Sequence, residues 1–147
     1  MIPHSAARQS GFSLIEVLIA LLVLAVGLLG LSALQAQGLR GGTSAHQRSQ
    51  AVVLAYDMME RMRSNRLVAM NGQYNTAMGA DPGPGDGAAP IVDDDIGDWF
   101  QNGLSLLPLG DGSINCDNAG VCTVTVQWDD SRSGGGVGQQ FIFVSQI

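Results

Sequence analysis

The first pattern along the chain is an apolar run near the N-terminus. From Val17 to Leu34 every residue is aliphatic, Gly or Ala except Ser32. A helix of about 20 apolar residues can cross a bilayer, so we expect a membrane-spanning helix here. One carboxylate, Glu16, stands at its beginning. An ionised group costs about 2.5–3.5 kcal/mol at the membrane centre and less toward an interface, so Glu16 is expected to have a partner.

A second helical pattern follows Gly41-Gly42. Apolar residues recur there at helical spacing, at Ala51, Ala55, Met58 and Met62. Val52 and Met59 lie beside this row. We predict an amphipathic helix to about residue 70, ended by Asn71-Gly72, with the methionine stripe packed on a sheet. The cluster of Gly38, Gly41 and Gly42 predicts a kink or a melted turn midway along the helix.

The middle of the chain is rich in turn residues and acids. Residues 72–92 are predicted to be an exposed loop because residues 81–87 are Pro, Gly and Asp throughout. A short helix is predicted over 93–107, with Asp93, Asp94 and Asp95 at its positive N-terminal end. An EF-hand that began at Asp93 would need Glu at its twelfth position, which is Leu104. A calcium site of another type stays open as an alternative.

In the last third of the chain, apolar residues recur at every second position. Apolar residues alternate with Thr and Gln from Cys122 to Trp128, which is typical of a half-buried strand. Residues 139–147 predict a terminal strand, and a third strand is expected near Ser113 to Cys116. Helix followed by antiparallel strands over 113–147 predicts the α+β class.

Composition restricts the partners. The chain has 147 residues and a net charge of −6, so about one hundred residues remain for one small domain beyond the apolar run. There is no Lys, and six of the seven arginines lie at or before Arg66. Because nucleic acids are bound through basic patches, we expect no nucleic-acid partner.

The two cysteines, Cys116 and Cys122, predict a disulfide if the domain is exported. Two reduced and buried thiols are the alternative. Their spacing excludes a CxxC redox motif, and two cysteines alone make no zinc site. Neither histidine has an acid or Cys at the spacing of a metal site or a catalytic triad. We therefore expect no enzyme activity, no cofactor and no metal.

The N-terminus carries export features. Residues 1–11 are short and polar with Arg8 and no acid, as in the first part of an export signal. Ordinary secretion with cleavage after Gly38 is an alternative, but its apolar region is normally shorter and Glu16 would hinder insertion. Arg8 gives a slight preference for a cytoplasmic N-terminus, which Arg40 opposes.

Residues 11–16, Gly-Phe-Ser-Leu-Ile-Glu, resemble the class III signal of type IV pilins and their pseudopilin relatives. The resemblance implies cleavage after Gly11 by a prepilin peptidase and N-methylation of Phe12. It also implies that Glu16 pairs with the N-terminus of a neighbouring subunit. The expected pilin fold has a leader at 1–11, a protruding membrane and filament-core helix at 12–40, and a periplasmic domain at 41–147. Partners would be other pilins, the inner-membrane assembly platform and the membrane.

Further segments resemble the minor pilins usually called PilV. They are residues 58–61, the Trp99 helix, residues 122–128 and the Gln146-Ile147 ending. Many major pilins have a Pro where this chain has Ala33, which favours a minor subunit. The resemblance implies a role in starting or capping a type IV pilus, with twitching motility and adhesion. A minor pseudopilin of a type II secretion system is the alternative, and a membrane-anchored periplasmic sensor is a third possibility.

Overall fold

The longest element of the fold is one helix that contains the apolar run. In the computed structural model, which describes residues 11–80 and 90–147, helix α1 spans Leu14–Ser64. The chain divides into two compact units between Leu39 and Arg40, and α1 contributes residues to both. Among the described residues, α1 is the one helix that is long and apolar enough to span a membrane.

The first unit consists of the apolar part of α1 and the residues before it. Every described residue from Gly11 to Leu39 is exposed, and the exposed fraction reaches 85% at Leu14. Soluble monomers rarely expose a continuous apolar surface of this extent. Such a surface requires a nonpolar environment, either lipid or the apolar helices of other chains.

The second unit is built on a three-stranded antiparallel sheet. Strands β1 (Asp111–Cys116), β2 (Val121–Trp128) and β3 (Gln139–Gln146) lie side by side in that order. Alternate residues of a strand point to opposite faces, and the inward residues of β2 are all buried. The predicted α+β class is confirmed, and β1 begins at Asp111 rather than near Ser113.

The core of this unit lies between the sheet and the second part of α1. The methionine stripe packs there as predicted, since Met58, Met59 and Met62 have no exposed surface. The Sδ atom of Met62 lies 3.5 Å from the Sγ atom of Cys116 at one end of the sheet. Tyr56 stacks on Phe143 of β3 with ring centroids 4.2 Å apart.

Helix α1 differs from its prediction at two places. Of the kink or melted turn predicted at Gly38, Gly41 and Gly42, the melted turn is absent, since α1 is helical throughout this stretch. The kink stays a prediction. Glycine lowers helix propensity by about 1 kcal/mol but keeps its N–H, so the hydrogen-bonded ladder can continue. At its other end α1 stops at Ser64, and a separate short helix α2 (Arg66–Met70) follows Asn65.

The predicted helix over 93–107 is three elements rather than one. Helix α3 (Pro90–Asp98) begins before the acidic residues, and Pro is well suited to a first helical position. A π-helical turn over Trp99–Gly103 and a 3₁₀ turn over Leu104–Leu106 complete the segment. The Nε1 atom of Trp99 donates to the Leu54 carbonyl at 2.9 Å, which ties this segment to α1.

The prediction of an exposed loop over 72–92 was wrong at both of its ends. Tyr74 is fully buried, and Thr76 pairs with Ile114 beside β1. Residues 90–92 belong to α3. The Pro- and Gly-rich residues 81–87 lie outside the described residues. The error arose because the contacts of Tyr74 and Thr76 are with residues that are distant in sequence.

Candidate assembly site

The residues of the resemblance lie at the start of α1. Gly11, Phe12 and Ser13 precede the first helical residue, and Phe12 is 83% exposed. The carbonyl of Ser13 accepts the N–H groups of Glu16 and Val17 at 3.0 and 3.3 Å, which starts the helix. Because glycine has no side chain, an exposed Gly-Phe peptide bond is suited to a narrow protease active site.

Glu16 lies in the first turn of α1 and is exposed. A negative charge there interacts favourably with the helix dipole. None of the ion pairs between described residues includes Glu16. The residues one turn further along, Ile19 and Ala20, are apolar. Among the described residues, Glu16 therefore has no ion-pair partner.

The predicted disulfide is present between Cys116 and Cys122. The two residues face each other across β1 and β2, and both are buried. Between them the carboxylate of Asp117 accepts the N–H groups of Ala119 and Val121 at 2.9 and 2.8 Å. Gly120 has φ of +82°, a conformation that suits glycine. The cysteines therefore join the two strands next to their turn, as predicted.

A charged cluster around Arg61 was missed by the sequence analysis. Its guanidinium contacts Asp57, Asp95 and Asp98 at 3.0, 3.4 and 2.6 Å. Asp95 was predicted to stabilise a helix N-terminus, but its carboxylate instead binds Arg61 and the Tyr74 hydroxyl. The i, i+4 spacing of Asp57 and Arg61 on a helix could have indicated their ion pair from the sequence. The cluster connects α3 to α1, so it has a structural role.

Two side chains near Arg61 have shifted pKa values. Burial, followed by the hydrogen bond to Asp95, raises the pKa of Tyr74 to about 12. The hydrogen bonds from Asn102 and Arg61 lower the pKa of the Asp98 carboxyl below its ordinary value of 3.8. Tyr74 is therefore a neutral donor at pH 7, and Asp98 is an ionised acceptor.

A second feature missed from the sequence is the burial of Asp130 in the loop after β2. This residue is 1% exposed, and its Oδ2 atom accepts a hydrogen bond of 2.6 Å from Ser44 of α1. Its Oδ1 atom has no hydrogen-bond partner among the described residues. Because residues 44 and 130 are distant in sequence, no local pattern indicated this contact.

The acidic residues do not gather into a metal site in the part of the chain that the structure describes. No group of three or more His, Cys, Asp or Glu side chains there is arranged to hold a metal ion. The calcium alternative raised for residues 93–95 thus has no support from the geometry. Two of the three acids have structural positions: Asp93 lies in the first turn of α3, and Asp95 binds Arg61.

Comparison with known families gives two adjoining matches. Residues 6–32 match the Prokaryotic N-terminal methylation motif. Residues 33–81 match the family described as Type IV pilin Tt1218. No curated protein and no solved structure matches the chain.

The fold and the N-terminal motif are those of a class of structural subunits that have a methylation motif, an apolar helix and a small sheet. Specifically, the chain is a type IV pilin-like protein with a prepilin class III signal. The motif implies processing by prepilin peptidase and assembly with other pilins. Type IV pilins are a structural rather than an enzymatic family. The signal and the apolar helix fit membrane anchoring followed by incorporation into a pilus.

Proposed function

We propose that this chain is a minor pilin of the PilV type, which helps to initiate or cap a type IV pilus. In this role it supports twitching motility and adhesion and catalyses no reaction. The observation that carries the proposal is the Gly11-Phe12 bond in front of an exposed apolar helix with Glu16 in its first turn. The PilV-like segments at 58–61 and 122–128 support the minor pilus subunit over other pilin-like proteins.

Processing creates the partner that Glu16 lacks. Cleavage after Gly11 and N-methylation leave Phe12 with a secondary amine that is positively charged at neutral pH. In the growing filament this amine pairs with Glu16 of a neighbouring subunit, which offsets the cost of burying each charge alone. The pair sets the register of subunits, and the apolar helices pack on one another when they leave the membrane.

The proposal also assigns compartments. Residues 1–11 are a cytoplasmic leader, 12–40 are the membrane helix and future filament core, and 41–147 are the periplasmic domain. The inner-membrane assembly platform extracts the processed chain, and no nucleic acid takes part.

The role of Glu16 is tested by substitution in cells that make the pilus. We expect Glu16→Ala and Glu16→Gln to be cleaved normally but to be depleted at least tenfold from sheared filaments. Ser32→Ala is a matched control in the same helix, because the Ser32 hydroxyl donates to the Leu28 carbonyl one turn before it. Normal incorporation of both Glu16 variants would contradict the proposed charge pair.

Two other functions make different predictions. A minor pseudopilin of a type II secretion system would copurify with that system, and its deletion would block secretion while pili remained. A membrane-anchored periplasmic sensor would keep residues 1–11. Deletion that removes twitching and leaves secretion intact supports the minor pilin.

A further inference from the structure

Strand β3 forms one edge of the sheet. The strand order is β1, β2, β3, and within residues 11–80 and 90–147 no strand other than β2 pairs with β3. The opposite edge is partly covered, because Thr76 and Ile114 of β1 exchange two backbone hydrogen bonds of 2.9 Å. An open edge presents N–H and carbonyl groups to which another strand can bind. The β3 edge is therefore the place where a further strand can be added to this unit.

The ladder between β2 and β3 fixes which backbone groups face this open edge. The Ile147 N–H donates to the Gly120 carbonyl at 2.9 Å, and bonded and non-bonded pairs alternate along an antiparallel ladder. The odd-numbered residues of β3 therefore bond to β2, and the even-numbered ones direct their N–H and carbonyl groups outward. These outward residues are Gln140, Ile142, Val144 and Gln146. Among the described residues no backbone group outside the sheet bonds to them.

The same four residues point their side chains to the exposed face of the sheet. Ile142 and Val144 are 57% and 55% exposed, and Gln140 and Gln146 at the two ends are exposed as well. The residues between them point to the core face, where Phe143 stacks on Tyr56. The open backbone groups and the exposed apolar side chains of β3 thus belong to the same residues.

Strand β3 has none of the features that usually keep an edge strand from pairing. Its eight residues include no charged side chain, no Pro and no Gly, in a chain of net charge −6. Its register with β2 is continuous from Gln139 to Gln146, without a bulge. Proteins commonly protect their edge strands with charges, Pro or bulges. An unprotected edge of this length indicates that another strand covers it.

The sequence of β3 is complementary to itself in the antiparallel direction. When two copies are aligned about Phe143, Ile142 lies opposite Val144 and Gln140 lies opposite Gln146. All four are outward-directed residues, so each opposed pair can exchange two N–H···O bonds. A shift by two residues in either direction would place a Gln opposite an apolar residue. A shift by one would oppose outward and inward residues, so the pattern selects one register.

The two terminal glutamines keep hydrogen-bonding capacity for this contact. The Gln140 Nε2 atom donates to the Gln127 Oε1 atom at 2.7 Å, and the Gln146 Nε2 atom donates to the Ala119 carbonyl at 3.4 Å. Each of these bonds uses one of the two N–H groups of the amide and leaves its oxygen as an acceptor. Opposed Gln140 and Gln146 side chains can therefore bond across the pair of strands.

We propose that the open edge of β3 binds the same edge of a second copy of this chain, antiparallel and in the register centred on Phe143. The two three-stranded sheets then form one continuous sheet, and Ile142 and Val144 of both copies form one apolar patch bordered by glutamine pairs. The occupant is a second copy because β3 itself supplies the matching order of apolar and amide side chains. The contact uses the same surface twice and closes on itself, so it gives a dimer rather than a fibre.

This dimer goes beyond the proposed pilin function. The contact is formed by the second unit alone, and it requires neither cleavage after Gly11 nor a partner for Glu16. The contacts of β3 with its own unit are kept, because Phe143 and Ser145 point to the core face and bind Tyr56 and Arg63 there.

The register is tested by disulfide trapping with the full chain in detergent. Two differently tagged chains carry Ile142→Cys and Val144→Cys, and they are mixed and mildly oxidised; both native cysteines are already in a disulfide. Opposed residues of a bonded pair have Cα atoms about 5.5 Å apart, within disulfide range. Diagonal neighbours are about 7–8 Å apart. Val53→Cys mixed with Val144→Cys is the matched control, because Val53 is 64% exposed but lies on α1.

We expect Ile142→Cys to be trapped with Val144→Cys at least fivefold more than either variant with itself and at least fivefold more than the control mixture. Equal trapping in the control mixture would overturn the proposal, because the chains would then only share micelles. Predominant trapping of Ile142→Cys with itself would exclude the stated register.

A charge at the edge gives a second test. Native mass spectrometry of the full chain in excess detergent should show a dimer that Ile142→Lys converts to monomer and that Val53→Lys leaves unchanged. Both positions are exposed, so neither change should lower the melting temperature. A native chain that is monomeric, or a dimer that persists in Ile142→Lys, would overturn the proposal. Trapping of residue 142 in cells only to a different pilin would assign the edge to that protein and would also overturn it. The mature N-terminus is measured separately, so either failure leaves the proposed function standing.

Discussion

Two charged residues, Glu16 and Arg61, differ in whether they have an ion-pair partner among the described residues. Arg61 finds three carboxylates within its own unit, whereas Glu16 has no ion-pair partner among the described residues. A charge-assisted hydrogen bond contributes about 1.5–3 kcal/mol when its geometry is good. Arg61 therefore stabilises the folded unit, while Glu16 is available to stabilise an assembly.

Replacement of Arg61 should destabilise the second unit. Arg61→Met leaves three neighbouring carboxylates without their shared cation, so we expect a loss of about 2 kcal/mol in the free energy of unfolding. Both tryptophans are buried in this unit, so urea unfolding of the full chain in detergent can be followed by their fluorescence. Arg63→Met is the control, because Arg63 makes only exposed contacts among the described residues, an ion pair with Glu60 and a hydrogen bond to Ser145 of β3. Exposed pairs contribute at most about 1 kcal/mol. Equal effects of the two variants would contradict the role given to Arg61.

The same cluster predicts a pH dependence. The folded pKa of Asp98 lies below its ordinary value of 3.8, so its contribution is fully present above that pH. The contribution is lost as the pH falls through the folded pKa, because the carboxyl must then be protonated. We expect the stability difference between the native chain and Arg61→Met to be constant from pH 7 to 5 and to shrink below pH 4. A difference that grows on acidification would exclude this assignment.

At the scale of elements, the glycines of α1 and the sheet differ in what surrounds them. A Cβ atom added at Gly42 would have no neighbour within 4 Å. A Cβ atom added at Gly112 of β1 would lie 2.4 Å from the Trp99 ring. The first glycine thus only lowers helix propensity, whereas the second makes room for a core side chain.

Alanine substitutions should separate these two cases. We expect Gly42→Ala to stabilise the second unit by up to about 1 kcal/mol through helix propensity. Gly112→Ala should destabilise it by about 1–3 kcal/mol, because the ring of Trp99 must move. Urea unfolding measures both, and a destabilising Gly42→Ala would show that α1 needs a flexible position there.

Local patterns predicted the elements whose periodicity is strong. Alternation from Cys122 to Trp128 gave β2, and the methionine stripe gave the buried face of α1, because each pattern reflects one face against the core. The roles of Asp95 and Asp130 were not predictable, since their partners Arg61 and Ser44 are 34 and 86 positions away in the chain. The glycine cluster does not melt α1, because the helix propensity of single residues is weak beside the cooperativity of a long helix.

At the scale of the whole molecule, the two units suit different environments. The first exposes aliphatic side chains over its described length, and the second has a closed core of its own joined by a disulfide. The placement of Gly11, Phe12 and Glu16 at the start of α1 follows from the sequence, because these residues adjoin the apolar run and need no long-range contact.

The most direct test of the proposed function is the N-terminus of the mature protein. The full-length chain is made in cells that have the prepilin peptidase, purified from membranes or sheared filaments, and analysed by intact and N-terminal peptide mass spectrometry. We expect the chain to begin with N-methylated Phe12 and to lack residues 1–11. A chain that retains Met1, or one that begins at Leu39, would contradict the account.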